Sequence, residues 1–127
     1  MILVDSSVWI DHLRTANQTI VTLTRRGELA THSLVIGELA MGSIRDQANL
    51  LFRMQKLPSL RTAEDEEVLT FVERRKLYGR EIGYIDAHLL FSVVLTKGAS
   101  LWTRDKRLRE IAEEFEIAPH LPGARLQ

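Results

Sequence analysis

The feature that most constrains this chain is its opening: an apolar run, Ile2-Leu3-Val4, breaks at Asp5-Ser6-Ser7 and leads into Val8-Trp9-Ile10. A run with no polar side chain has no solvent face, so it reads as a strand buried on both sides, with a helix starting just after it. Strands of that kind belong to parallel sheets covered by helices. The succession returns along the chain. Leu29 to His32 reads as a short strand, and Ser33 then caps a helix carrying Leu34, Val35, Glu38 and Met41. Leu60 to Ala63 is a candidate strand, followed by Glu64-Asp65-Glu66-Glu67 at the start of a helix running to about Tyr78, where negative charge suits the helix dipole. Ser100 to Thr103 reads as a strand, and Asp105 to about Phe115 as a charged amphipathic helix.

Further helices are expected over about Thr19 to Arg26, stopping near Gly27, over Asp46 to about Leu57, and over about Ile85 to Thr96, ended by Lys97-Gly98. Ile117-Ala118 is a possible last strand. Strands alternating with helices predict an α/β fold with a central, mostly parallel sheet. The 127 residues contain no repeat or low-complexity tract, and only Pro58, Pro119 and Pro122 as prolines. That predicts a single domain over residues 1–127, with about 118–127 as an irregular C-terminal tail.

Composition narrows the chemistry. There is no cysteine, which removes disulfides, thiolate metal sites and a cysteine nucleophile, and favours a reducing, cytoplasmic setting. The opening apolar run is too short for a secretion signal, and the stretch Ala87 to Leu95, broken by His88 and Ser92, is too short for a membrane span. Lys plus Arg and Asp plus Glu are 17 each, so any basic surface for nucleic acid must be local.

The acids carry the functional signal. Asp5 and Asp105 each follow a predicted strand, where open α/β sheets place ligands, although Asp is also a favoured helix cap. Glu38 falls on a helix face with Leu34, Val35, Met41 and Gly42, and Asp86 opens the most apolar helix on the face of Leu90, Val93 and Val94. An isolated carboxylate on an apolar face is costly unless it is paired or binds a cation. The plainer readings are an arginine partner or a less buried face for Glu38, and dipole complementation for Asp86. Four carboxylates converging in one crevice repel, and a hard divalent cation such as Mg²⁺ or Mn²⁺ relieves that. Zinc is disfavoured, because His12, His32, His88 and His120 are scattered. Ser6, Ser7 and Thr103 lie beside the acids and can orient water or phosphate oxygens, or serve as ordinary caps. Arg104 and Lys106 flank Asp105 and are the better candidates for contact with a nucleic-acid phosphate. Arg107, Arg109 and the group Arg74-Arg75-Lys76 with Arg80 are further cations that a solvated helix face also explains. Trp9 and Trp102 are expected in the core.

Together these segments resemble the PIN-domain family. Ile2-Leu3-Val4-Asp5-Ser6-Ser7-Val8-Trp9-Ile10 is similar to its opening, and Thr31-His32-Ser33-Leu34-Val35-Ile36-Gly37-Glu38-Leu39 to its second motif. Ile85-Asp86-Ala87-His88-Leu89-Leu90 is similar to the third motif, and Leu101-Trp102-Thr103-Arg104-Asp105 to the fourth, a strand ending in Thr-x-Asp. Order, spacing and length match over nearly the whole chain, which at this size looks like a VapC-type toxin of a bacterial or archaeal toxin–antitoxin pair. The resemblance implies a three-layer α/β/α sandwich, a Mg²⁺- or Mn²⁺-dependent endoribonuclease and a homodimer. It also implies a VapB-like antitoxin whose tail blocks the active site, often with a basic side chain. Asp5 and Asp86 would be the principal metal ligands; Asp105 and Glu38 would complete the pocket, directly or through water. Ser6 stands where Thr is common, which keeps the hydroxyl, and His88 is an acceptable variation. Two other readings share features of the chain. A catalytically silent module of the same fold would bind no metal. A receiver-type phosphoacceptor domain needs an acidic pair at the first strand and a late lysine, whereas Asp5 is followed by two serines.

Overall fold

The computed structural model describes residues 1–121, so the end of the expected tail, residues 122–127, lies outside the described residues. Three strands form a parallel sheet: β1 (Ile2–Val4), β2 (Leu29–Ala30) and β3 (Ser100–Trp102), in the order β2-β1-β3. Ile2 pairs with Leu29 on one side and Ser100 on the other, and Val4 pairs with Trp102. Leu3, Val4, Leu29, Ala30 and Leu101 are almost wholly buried, as strands covered on both faces must be.

Among the described residues, seven helices flank the sheet: α1 (Ser6–Arg14), α2 (Gln18–Arg25), α3 (Ser33–Met41), α4 (Gln47–Met54), α5 (Asp65–Arg74), α6 (Tyr84–Leu95) and α7 (Lys106–Glu114). The fold is the α/β sandwich the alternation predicts. No helix among the described residues is long and apolar enough to cross a membrane. α2 ends just before Gly27 and α6 before Gly98, at left-handed φ values of 68° and 79°, a conformation glycine adopts without steric cost.

Two expected strands shrink. The Leu60–Ala63 segment contributes one parallel bridge, Thr31 to Ser59, with the Leu60 amide donating to the Thr31 carbonyl. Ile117-Ala118 contributes one carbonyl, which accepts from the Leu101 amide. Both lie at sheet edges, where a single residue can pair without a regular ladder. The N-cap of α3 is His32 rather than Ser33: its Nδ1 accepts from the Leu34 amide at 3.0 Å. Because Nδ1 accepts, Nε2 carries the proton and donates to Ser92 Oγ at 3.0 Å, and Ser92 donates to the Arg61 carbonyl at 2.6 Å. This buried relay ties α3 to α6. Burial, reinforced by the neighbouring His88, lowers the His32 pKa to about 4.

β1 is central, so the carboxyl ends of β1 and β3 lie side by side where the strand order reverses. Such a switch point opens a crevice at the ends of the strands.

Candidate active site

Asp5 follows the last residue of β1, and its amide donates to the Trp102 carbonyl of β3 at 2.9 Å. It occupies the N-cap position of α1, yet its carboxylate makes no capping bond. Instead Oδ2 accepts from Thr103 Oγ1 at 2.7 Å and from Ser7 Oγ at 2.9 Å. The carboxylate leaves the amides of α1 uncapped and is fixed by one hydroxyl from α1 and one from the end of β3, and the residue is only 5% exposed. Those hydroxyls are fixed in turn. Ser7 Oγ accepts from the Arg104 amide at 3.1 Å, and Thr103 Oγ1 accepts from the Asp105 amide at 3.1 Å. Ser6 Oγ stands 3.4 Å from Asp5 Oδ1 and 3.3 Å from Glu38 Oε1, so its one proton links the two carboxylates.

Glu38 is brought to the site, but not by burial in the core. Val35 and Leu39 form the buried stripe of α3, while Glu38 is exposed and Met41 is 88% exposed. The apolar face read from the sequence is therefore narrower than expected, and Glu38 sits beside it. Partial desolvation, then the charge of Asp5, raises its pKa; Asp86 adds to the rise, and the Ser6 bond opposes it.

Asp86 is half-buried in the first turn of α6, and its Oδ2 accepts from the Gly83 amide at 3.0 Å. Desolvation raises its pKa; the Gly83 bond opposes this, and Asp5 and Asp105 add to the rise. Asp105 is exposed and caps α7, with Oδ1 accepting from the Leu108 amide at 2.9 Å. Capping thus describes Asp86 and Asp105 in part and Asp5 not at all. The four acids are electrostatic neighbours through Asp5 and Asp86. Among the described residues, no three carboxylate or imidazole groups stand close enough together to enclose an ion as they are. In kind, the donors are all hard oxygens, and a cation here would offset the desolvation and the mutual repulsion that raise the pKa values of Glu38 and Asp86.

His88 faces away from this cluster. It is buried, its Nε2 lies 3.3 Å from Asp65 Oδ1, and Tyr84 donates to the same oxygen at 2.7 Å. Of the cations, Arg104 pairs with Asp11 at 3.1 Å, while Lys106 is exposed with no ion pair among the described residues. Arg107 pairs with Glu81, Arg80 with Glu114, and Arg75 lies over the Phe115 ring, so these three hold α7 in place. Trp9 and Trp102 are buried in the core. Sequence reasoning missed Asp11. Its arginine partner lies 93 residues away in the chain, so no local pattern marks it.

A fold of this order, with acids at the ends of adjacent parallel strands, defines a class of protein. The family model described as PIN domain matches residues 2–114, and the chain belongs to that family. Among curated proteins it is similar to Ribonuclease VapC32 of Mycobacterium tuberculosis, in strains CDC 1551/Oshkosh and H37Rv. The identity is 48% over 118 residues, covering 93% of this chain and 95% of the relative.

Proposed function

We propose that this chain is the toxin of a type II toxin–antitoxin pair, an endoribonuclease that hydrolyses RNA phosphodiester bonds with Mg²⁺, for which Mn²⁺ substitutes. Membership of the PIN domain family and the similarity to a VapC ribonuclease support the activity. The observation that carries the site is the Asp5 carboxylate, which makes no capping bond and is held instead by the Ser7 and Thr103 hydroxyls beside Glu38 and Asp86.

Asp5 and Asp86 are the principal ligands in this reading, with Asp105 and Glu38 binding directly or through water. A bound divalent cation supplies positive charge for the phosphoryl oxygens and makes water more acidic. Ser7 and Thr103 keep the Asp5 oxygens aimed into the crevice. Glu38, with its raised affinity for a proton, takes the proton of the attacking water, and Ser6 holds its Oε1 in place. Water attacks phosphorus in line and the 3′-oxygen leaves, which yields a 5′-phosphate and a 3′-hydroxyl. Arg104 and Lys106, flanking Asp105, contact the RNA backbone.

The partner is a VapB-like antitoxin, whose tail places a basic side chain among the four acids. The toxin acts on cytoplasmic RNA as a homodimer. Exposed Met41, Phe52, Ile10 and Leu13 give it apolar surface for such contacts.

The test is to incubate the purified protein with total cellular RNA in Mg²⁺, in Mn²⁺ and in chelator, and to determine the chemistry of new ends. Discrete metal-dependent cuts with 5′-phosphate ends are expected. Cuts that persist in chelator, or that leave 2′,3′-cyclic phosphates, would overturn the mechanism.

A further inference from the structure

Beside the acid cluster, between α1, the start of α2 and the turn from β3 to α7, lies a cavity of about 120 Å³. Thr103 lines it and also donates to Asp5 Oδ2 at 2.7 Å, so cavity and acid site share a wall. Val8 and Trp102 give it an apolar side. Asp11, Asn17, Thr19, Arg104 and Arg109 give it polar groups.

These groups are arranged as a mixed set. The Asn17 Oδ1 is taken by the Thr19 and Ile20 amides at 2.9 and 3.2 Å, which leaves its Nδ2 as a donor. Arg109 has no ion pair among the described residues, and one Arg104 nitrogen is held by Asp11 at 3.1 Å. The cavity therefore offers guanidinium and amide donors around one carboxylate acceptor, against an apolar wall. A backbone phosphate is a poor match, because it would face Asp11. The edge of a nucleobase, which mixes donors and acceptors on a flat apolar ring, is a good one. Guanine matches best: its ring N–H and amine suit a carboxylate, and its O6 and N7 suit a guanidinium.

We propose that this cavity reads a guanine next to the scissile phosphate, with Asp11 accepting from the base and Arg109 donating to it. The inference rests on the ribonuclease reading, and two readouts separate the failures of each. In the first, wild type, Asp11→Asn and Arg109→Gln cut a random-sequence oligoribonucleotide pool, and the cut sites are sequenced. Wild type is expected to favour guanine at one position beside the cut. Each variant is expected to weaken that preference at least about tenfold, leaving other positions unchanged. In the second, guanosine 5′-monophosphate is titrated into metal-free protein, and the Trp102 indole and Asn17 amide signals are followed by NMR against the other three mononucleotides. Selective shifts of these groups are expected. An unchanged base preference in both variants, or a uniform loss on every sequence, overturns the base-reading role. A preference for another base that still depends on Asp11 overturns the guanine assignment. A wild type that cuts nothing while the guanine-specific shifts persist overturns the nuclease reading and leaves the pocket standing.

Discussion

Thr103 shows how hydroxyls can draw a carboxylate out of a capping role. It is buried, it donates to Asp5 Oδ2, and its oxygen accepts from the Asp105 amide, so it fixes two of the four acids. Thr103→Val keeps the shape and removes both bonds. Activity is expected to fall about 10–100-fold with the fold retained, as for other groups that orient metal ligands; steady-state cleavage rates beside a circular dichroism spectrum check this. Glu38→Gln removes a charge that desolvation and Asp5 make unfavourable. In chelator the melting temperature of that variant is therefore expected to equal or exceed that of wild type, while cleavage falls; thermal melts with and without Mg²⁺ check it. Asp5 and Asp105 were legible as candidates because each follows an apparent strand and opens a helix, and Asp86 because it lies in the first turn of the most apolar helix. The separation of Asp5 from a mere cap was not legible, because the Thr103 hydroxyl that holds it lies 98 residues off in the chain. Glu38 was found for a reason that holds only in part: the helical pattern could not tell that Met41 is left in solvent.

At the scale of the element, the joint between α3 and α6 depends on a neutral His32. Its folded pKa, about 4, lies below the ordinary 6.5, so the unfolded chain binds the proton more readily. The stability this joint contributes is whole above about pH 6.5 and is lost as the pH falls towards 4. The loss amounts to about 3 kcal/mol. Urea midpoints between pH 7 and 4 are expected to fall more steeply in wild type than in His32→Asn, which has no ring to protonate; parallel slopes would contradict the relay. The strand starts and most helix ends were readable within a residue or two, because apolar runs and Asp, Ser or Gly boundaries are local signals. The Leu60–Ala63 and Ile117-Ala118 segments were not, since edge pairing is settled by what packs across it. His32 as the cap of α3 was hidden too, because histidine caps only when a partner such as Ser92 orders its ring.

At the scale of the molecule, the strand order β2-β1-β3 sets the ends of β1 and β3 together and so gathers Asp5, Asp105 and the loop hydroxyls in one crevice. Net charge is zero, so RNA attraction must come from local cations such as Arg104 and Lys106 around that crevice. Binding to Asp5→Asn protein is expected to weaken steeply with salt, in proportion to the phosphates contacted. Sedimentation of the purified chain is expected to give a dimer. The central claim is that RNA cleavage depends on a cation held by the acid cluster. It is tested most directly by comparing wild type and Asp5→Asn on one RNA substrate in Mg²⁺ and in chelator, with melting curves as a control. A loss of at least about 100-fold in Asp5→Asn, matched by wild type in chelator and with the melting temperature preserved, is the predicted result. Equal rates in the two proteins, or cleavage indifferent to chelator, would contradict it.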